Sequence, residues 1–471
     1  MSWFRSILDA ALESTARMSL RVLGRAEPGD EDRLLPQADR DAVLARCHDL
    51  RRNNPVAQGT MRALEDNVVG GKVRLQARTS DAGWNAEAEA WMKGWMRRAD
   101  ASGRRDFAGI LAECVRARLF DGELLLVPHA SGGFSLVESE RIRPAQGEDL
   151  AYGTDAAGRV IWWNVQERDE KSGGFRADSP SRKIRSGIYV TSRNRPDQVR
   201  GWPDLATVAN VCADIGEINA ANLKKYKMGA LAAWTLQGGG QLKGRSSRPG
   251  AAHPLAQFRD GTIYELEPGQ TLSPFANNQP GGEYAPFVKL NLQLISMSLR
   301  LPYEFLLMYF ADSTFASSKT AILQAAKTIN GWRDWLEREA MRPAVAWAVA
   351  EAIRNGELSA APVDAYGRSE WDKWEWLRPG YDWVDPQSAV QYHMMALRSG
   401  LMTWSDALGS YGYDYEETLR RRAGEVRLRR EIAAEGGVSE SDLADLQLNG
   451  VPPPAPDGGD DPGQRKDTRD E

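Results

Sequence analysis

Cysteine is nearly missing from this chain: Cys47, Cys114 and Cys212 are the only three in 471 residues. They lie far apart and form no C-x-x-C pair. That excludes a disulfide framework and points to a reducing interior, with all three as small buried hydrophobes. Histidine is as scarce, with four residues (His48, His129, His253, His393) and no H-x-x-x-H or H-E-x-x-H. A metal site of the usual pattern is therefore not expected. No window approaches ~18 uninterrupted apolar residues, so no membrane span is expected. The start, Met1 to Asp9, carries charges through its apolar positions and lacks a signal-peptide core. An excess of positive charge is also lacking: 60 Lys and Arg stand against 65 Asp and Glu, a net charge of −5. Proteins that grip DNA for affinity neutralise phosphates with surplus cations, so this balance argues against a sequence-reading DNA binder.

Catalytic motifs are missing as well. Gly238-Gly239-Gly240-Gln241-Leu242-Lys243 has glycines and a lysine, but the wrong spacing and no hydroxyl for a phosphate loop. Gly409-Ser410-Tyr411-Gly412 is not a G-x-S-x-G elbow. Cys47-His48-Asp49 offers a nucleophile, base and orienter, yet neighbours on a helix point about 100° apart and cannot converge. Carboxylates are plentiful, but no pair is singled out. Neither enzyme activity nor a cofactor is expected.

What is present is a long chain of mixed helix and strand, about three domains by length. Residues 1–40 read as an amphipathic arm ending in the Glu27-Pro28-Gly29-Asp30 turn. Residues 41–203 read as one α+β unit. Its helical part breaks at Gly70-Gly71 before a short strand pattern, Val73, Leu75 and Ala77. Trp84, Trp91 and Trp95, with Met92 and Met96 beside them, share one helix face and read as core. Short β-rich runs follow at 124–127, 134–137 and 160–165. Residues 204–231 form a helix with Leu205, Val208, Cys212 and Ile215 on one face. Lys224, Lys225 and Lys227 crowd its C-terminal end, where the helix dipole favours cations. Residues 232–285 are rich in Gly and Pro breakers around strand candidates such as 262–266. A second helix, 286–301, repeats Phe287, Leu290, Leu294, Met297 and Leu301 on one face until Pro302 interrupts it. After Tyr303 to Tyr309 comes a small polar segment, 311–318. A long helical pattern through Ile322, Ala325, Ile329, Trp332 and Leu336 then bends or restarts near Pro343. Trp371, Trp374, Trp376 and Trp383 cluster near Pro379-Gly380. Beyond them, 385–434 is helical, and its arginines interleave with Glu416, Glu417, Glu425 and Glu431 as on an exposed salt-bridged helix. The tail, 437–471, is expected to be disordered.

Several words of this sequence occur in an order that resembles the lambda-type phage portal proteins. They are Arg51-Arg52-Asn53-Asn54-Pro55-Val56-Ala57, Asn67-Val68-Val69-Gly70, Asp106-Phe107-Ala108-Gly109, Asp121-Gly122-Glu123 and Val199-Arg200-Gly201-Trp202-Pro203. Then come Leu301-Pro302-Tyr303-Glu304-Phe305-Leu306, a Ser-rich loop, a Trp-bearing helix, Trp383-Val384-Asp385-Pro386, Leu397-Arg398-Ser399-Gly400-Leu401 and Tyr411-Gly412-Tyr413-Asp414. The resemblance implies an α+β portal-protein fold. Its parts would be an α/β wing (41–203), a two-helix stem (204–231 and 286–301), a small β-rich clip (232–285), a tunnel loop with a long kinked helix (302–356) and a helical crown (357–436).

The resemblance further implies a structural subunit of a ring, twelve copies in the family, at the capsid vertex of a virion assembled in the host cytoplasm. Double-stranded DNA would pass through it without sequence specificity, and the near-neutral charge suits a conduit that must not trap a sliding duplex. Implied partners are the terminase large subunit, which would hydrolyse the ATP, head-completion or adaptor proteins, and the major capsid protein. The implied DNA-facing tunnel loop is Asp312, Ser313, Thr314, Phe315, Ala316, Ser317, Ser318 and Lys319. Lys243, Arg245, Arg248 and Arg259 of the clip would dock the motor. Helical faces bearing Trp332, Trp335 and Trp347 are either unburied ring contacts or intramolecular core. Two other function classes stay open on residues alone: a hydrolase, or a monomeric nucleic-acid-binding module using Lys224 to Lys227 and the arginine-rich helix.

Overall fold

A computed structural model describes residues 35–169, 173–175, 179–230, 234–237, 271–274, 284–309, 314–378, 386–409 and 413–439, with Asp32 and Tyr411. The chain divides into two compact units, Met1–Trp376 and Leu377–Glu471.

The first unit opens with α1 (Gln37–Asn53) and α2 (Pro55–Val68). Asn54 separates them because its extended backbone stops one helix while its side chain accepts the amides of Val56 and Ala57 and starts the next. Pro55, which has no amide to satisfy, fits the first turn of α2. After β1 (Arg74–Ala77) comes α3 (Ala82–Met96), capped by Asp81. Trp84, Met92 and Trp95 are buried as the shared face predicts, whereas Trp91 and Met96 of the same expected core are only half-buried, and the Trp91 indole N–H donates to Glu357 at 2.8 Å. Trp95 packs its ring on Phe107 at 5.1 Å and edge-on to Phe134 at 6.3 Å. Helix α4 (Phe107–Phe120) starts at the Asp106 cap and buries Phe107, Ile110, Leu111, Cys114, Val115, Leu119 and Phe120. A helix apolar on most sides must be covered on most sides.

Six strands follow: β2 (Glu123–Pro128), β3 (Phe134–Glu138), β4 (Tyr152–Thr154), β5 (Val160–Gln166), β6 (Ser181–Ile184) and β7 (Ile188–Thr191). They form two antiparallel sheets, ordered β3-β2-β7 and β4-β5-β6. Strand β2 is central and covered on both faces, so Leu124, Leu125 and Leu126 run without polar alternation. Leu125 and Val137 from one sheet share a buried cluster with Tyr152, Trp163 and Val165 from the other.

A 3-10 turn (Asp204–Val208) leads into α5 (Ala209–Ala230). Strands β8 (Trp234–Gln237) and β9 (Thr271–Pro274) pair antiparallel before the chain returns through α6 (Tyr284–Leu299). The strand expected at 262–266 lies outside the described residues. Helices α5 and α6 run side by side and antiparallel. Thr207 bonds to Ser298 at 2.8 Å near one end, and the Tyr284 hydroxyl donates to Asn219 near the other.

Next come a short α7 (Tyr303–Leu307), then α8 (Phe315–Leu336), one wide π turn (Glu337–Met341) and α9 (Arg342–Arg354). The expected bend at Pro343 takes the form of that π turn, which makes room for a ring that crowds the preceding carbonyls. Trp332 and Trp335 are buried, and Trp347 packs on Phe134 at 4.7 Å, so these rings belong to the intramolecular core. Strand β10 (Trp374–Leu377) pairs with β1. The stretch from 357 to Trp376, expected to belong to the helical crown, is part of the first unit.

The second unit holds α10 (Pro386–Arg398), α11 (Trp404–Gly409) and α12 (Tyr415–Gly436). On α12 the expected ion pairs form, Glu416 to Arg420 at 2.6 Å and Glu417 to Arg421 at 3.1 Å. Among the described residues, no helix is long and apolar enough to cross a membrane.

Candidate functional site: the root of the α5–α6 pair and its cleft

Charge is buried where the sheet meets the start of α5. The Glu123 side chain is 0% exposed and that of Arg200 5%. The Glu123 carboxylate accepts Arg200 Nε at 2.9 Å, Arg200 Nη2 at 2.5 Å and the Gly201 amide at 2.7 Å. Ser139 at 2.8 Å and the Tyr189 hydroxyl complete its shell. From the opposite side, Asp32 accepts the amides of Val199 and Arg200 at 3.0 and 3.2 Å and the Tyr152 hydroxyl at 2.9 Å. Arg40 donates to the Gly201 carbonyl at 2.6 Å. Buried charges are tolerated only when paired and fully hydrogen-bonded, and this group meets both conditions. Burial alone would push the Glu123 carboxyl up; the Arg200 and Arg40 guanidiniums outweigh it and hold it below its ordinary value.

The backbones also touch. A Cβ on Gly201 would lie 2.0 Å from the Gly122 carbonyl oxygen, and one on Gly122, where φ is +80°, would lie 2.4 Å from the Trp202 amide. Two glycines let these strands of chain approach where no side chain fits. Asn54 joins the same joint by donating to the Cys212 carbonyl at 2.8 Å. Arg333 of α8 donates to the Asn67 carbonyl at 2.6 Å.

Beside this joint lies a cleft of about 1410 Å³. Its walls are the end of α6 from Gln293, the start of α7, one side of α8 from Ala316 to Trp332 and the turn carrying Asp204. At one wall Arg118 lies over Trp332 at 3.9 Å and Trp335 at 4.6 Å and pairs with Asp204 at 2.9 Å. Burial lifts the Asp204 carboxyl above its ordinary value, with Arg118 opposing. Arg300 ends α6 in a left-handed conformation, φ +56°. Its carbonyl accepts the Thr328 hydroxyl at 2.6 Å, which ties α6 to α8.

Above the cleft, α6 buries Leu292, Ile295, Ser296 and Leu299. Its opposite face is apolar too, yet Phe287, Leu290, Leu294 and Met297 are 47%, 54%, 41% and 72% exposed. Leu301, the last residue of the sequence stripe, is buried.

The profile of the family described as phage portal protein, lambda family, matches residues 24–333. The chain belongs to the lambda family of phage portal proteins. It is 22% identical over 463 residues to the portal protein of Escherichia phage N15, covering 84% of this chain and 86% of that one. It is also 22% identical over 450 residues to portal protein B of Escherichia phage lambda, covering 82% and 83%. The probable portal protein of Halomonas phage phiHAP-1 is 21% identical over 489 residues, covering 94% and 90%. Among solved structures, a chain from the neck of an empty gene transfer agent particle has a TM-score of 0.48 at 16% identity, covering 78% of this chain and 93% of that one.

In this family member the words at 51–57, 121–123 and 199–203, scattered along the sequence, converge on one joint, while the word at 67–70 meets α8 through the Asn67 carbonyl. The residues that sequence reading assigned elsewhere fare differently. Asp312 and Ser313 lie outside the described residues. Thr314 is the N-cap of α8, its hydroxyl accepting the Ser317 amide at 3.3 Å. Phe315, Ala316, Ser317, Ser318 and Lys319 are therefore the first turns of a helix, a correction to the loop expected there. Their cause is capping: a Ser- and Thr-rich run starts a helix as readily as it makes a loop. Ala316, Ser317 and Lys319 are exposed. Lys243, Arg245, Arg248 and Arg259 lie outside the described residues. Lys224, Lys225 and Lys227 fall on α5, with Lys224 exposed.

Cys47-His48-Asp49 does not converge. His48 Nε2 faces Asp121, Asp49 accepts the Asn53 side-chain amide at 2.7 Å, and burial pushes the Cys47 thiol up to about 12. Sequence reading missed Asp32, Arg40, Arg118 and Tyr189. None sits in a local pattern, and only the words around their partners Glu123 and Arg200 hinted at the joint.

Proposed function

We propose that this portal-family chain is a structural, non-catalytic subunit that closes into a ring of twelve copies at the capsid vertex of a phage head. The observation that carries the ring is the unpartnered apolar face of α6. A water-exposed row of Phe287, Leu290, Leu294 and Met297 is costly on a lone chain and is the natural contact of a neighbouring copy. The ring is the channel through which double-stranded DNA is packaged and ejected, bound through no sequence-specific contact. The terminase large subunit docks on it, and adaptor and major capsid proteins surround it. Negative-stain images of the purified protein are expected to show rings; monomers alone at micromolar concentration would remove this reading.

Two finer roles rest on the family likeness. The segment from Asp312 through the exposed start of α8 faces the DNA with small polar groups that contact phosphates without holding them. Deleting Ser313 to Ser317 is expected to leave rings intact and impair DNA retention; wild-type packaging would refute the role. The cations Lys243, Arg245, Arg248 and Arg259 between β8 and β9 steer an acidic motor surface onto the ring. Charge reversal at the first three is expected to weaken motor binding most at low salt, and an unchanged salt titration would exclude them.

A further inference from the structure

The cleft beside the joint carries more cation than it uses. Arg118 is paired with Asp204. Arg193, Arg300 and Lys327 also line the cleft and are exposed, and none has an ion pair among the described residues. Glu304 is the remaining carboxylate on its walls. Unpaired cations concentrated in a concave surface attract an acidic occupant.

An acidic surface of the right form lies elsewhere on the same chain. On α5, Asn210, Asp214, Glu217 and Ala221 are spaced by four and three, so they share one face. Asp214, Glu217 and Ala221 are exposed, opposite the buried Cys212 and Ile215, and neither carboxylate has an ion pair among the described residues. Within one chain this face points away from α6.

A closed ring needs head-to-tail contacts between two different surfaces. Because α5 and α6 lie side by side, the free side of α6 in one copy meets the free side of α5 in the next. Met297 belongs both to the exposed stripe and to the cleft wall, so the two form one continuous surface. The cleft, at about 1410 Å³, has the volume of roughly three turns of a helix ~10 Å across.

Resting on the ring reading above, we infer that the cleft of one copy seats the acidic face of α5 from the next copy, with Asp214 and Glu217 meeting Arg193, Arg300 and Lys327. These contacts set the order of copies, while the apolar stripe supplies the adhesion.

The test uses two full-length charge-reversed chains, Asp214→Lys with Glu217→Lys, and Arg300→Glu with Lys327→Glu. Each alone places like charges at every seam, and its half-assembly concentration is expected to rise at least about ten-fold. An equal mixture can alternate the two chains so that every seam is complementary, and it is expected to assemble as wild type does. Either variant assembling alone like wild type, or a folded mixture that stays monomeric, overturns the inference. A milder pair, Glu217→Gln with Lys327→Gln, guards against misfolding. It should assemble more weakly and lose salt dependence, and unchanged behaviour again counts against the seam. Failure of wild type to assemble would instead overturn the ring reading.

Discussion

The joint around Glu123 and the stripe on α6 are opposite solutions to the same constraint. At the joint, strongly polar groups are buried, and Glu123, Asp32 and Arg200 each find several partners within the chain. On α6, apolar side chains are left in water although half of the same helix is packed. A single chain thus completes its most expensive interactions and leaves its cheapest ones open. The joint fixes the direction in which α5 leaves the sheet; the stripe, on the ring reading proposed above, is covered by another copy. If the stripe is the ring contact proposed above, rigidity within the subunit and adhesion between subunits fall to different residues and should respond separately to mutation.

The largest effect is expected at the joint. Glu123→Gln leaves Arg200 buried without its counter-charge and should lower stability by about 3–5 kcal/mol, read by denaturant unfolding. The acid limb should change with it. The Glu123 carboxyl is held below its ordinary value, so its contribution is present above the unfolded carboxyl value of about 4.3. That contribution is lost as pH falls through the lower folded value. In Glu123→Gln this part of the pH dependence should vanish, and its persistence would mean that the carboxylate is not what the joint protects.

Gly201→Ala comes next. Its Cβ would sit 2.0 Å from a backbone oxygen that has little room to move, and overpacking of that kind should cost about 1–3 kcal/mol. A stability equal to wild type would show that the two strands of chain are not in contact. Thr328→Val removes the hydroxyl that holds the end of α6 to α8. A loss of about 1 kcal/mol is expected by thermal unfolding. No change would make that tie incidental.

What the sequence made legible was periodicity. The spacing of Trp84 and Trp95 located a buried face of α3, and the run 124–126 located the central strand. The spacing of Phe287, Leu290, Leu294 and Met297 identified a face of α6 just as clearly, yet periodicity tells that a face is apolar, not what covers it. The start of α8 was misread because Ser and Thr serve loops and helix caps alike. The joint was the least legible part. Glu123 and Arg200 are 77 positions apart, and a buried ion pair leaves no trace in local composition. Its words were visible, but their meeting was not.

The separation of fixed joint from open stripe is tested most directly by the mass of the assembly formed by a chain carrying Leu290→Asp and Leu294→Asp. Both positions are exposed, so unfolding should shift by no more than about 0.5 kcal/mol. Light-scattering mass measurement is expected to give a ring for wild type and the 52.2 kDa monomer for the variant. A variant that folds normally and still forms wild-type rings would contradict the account.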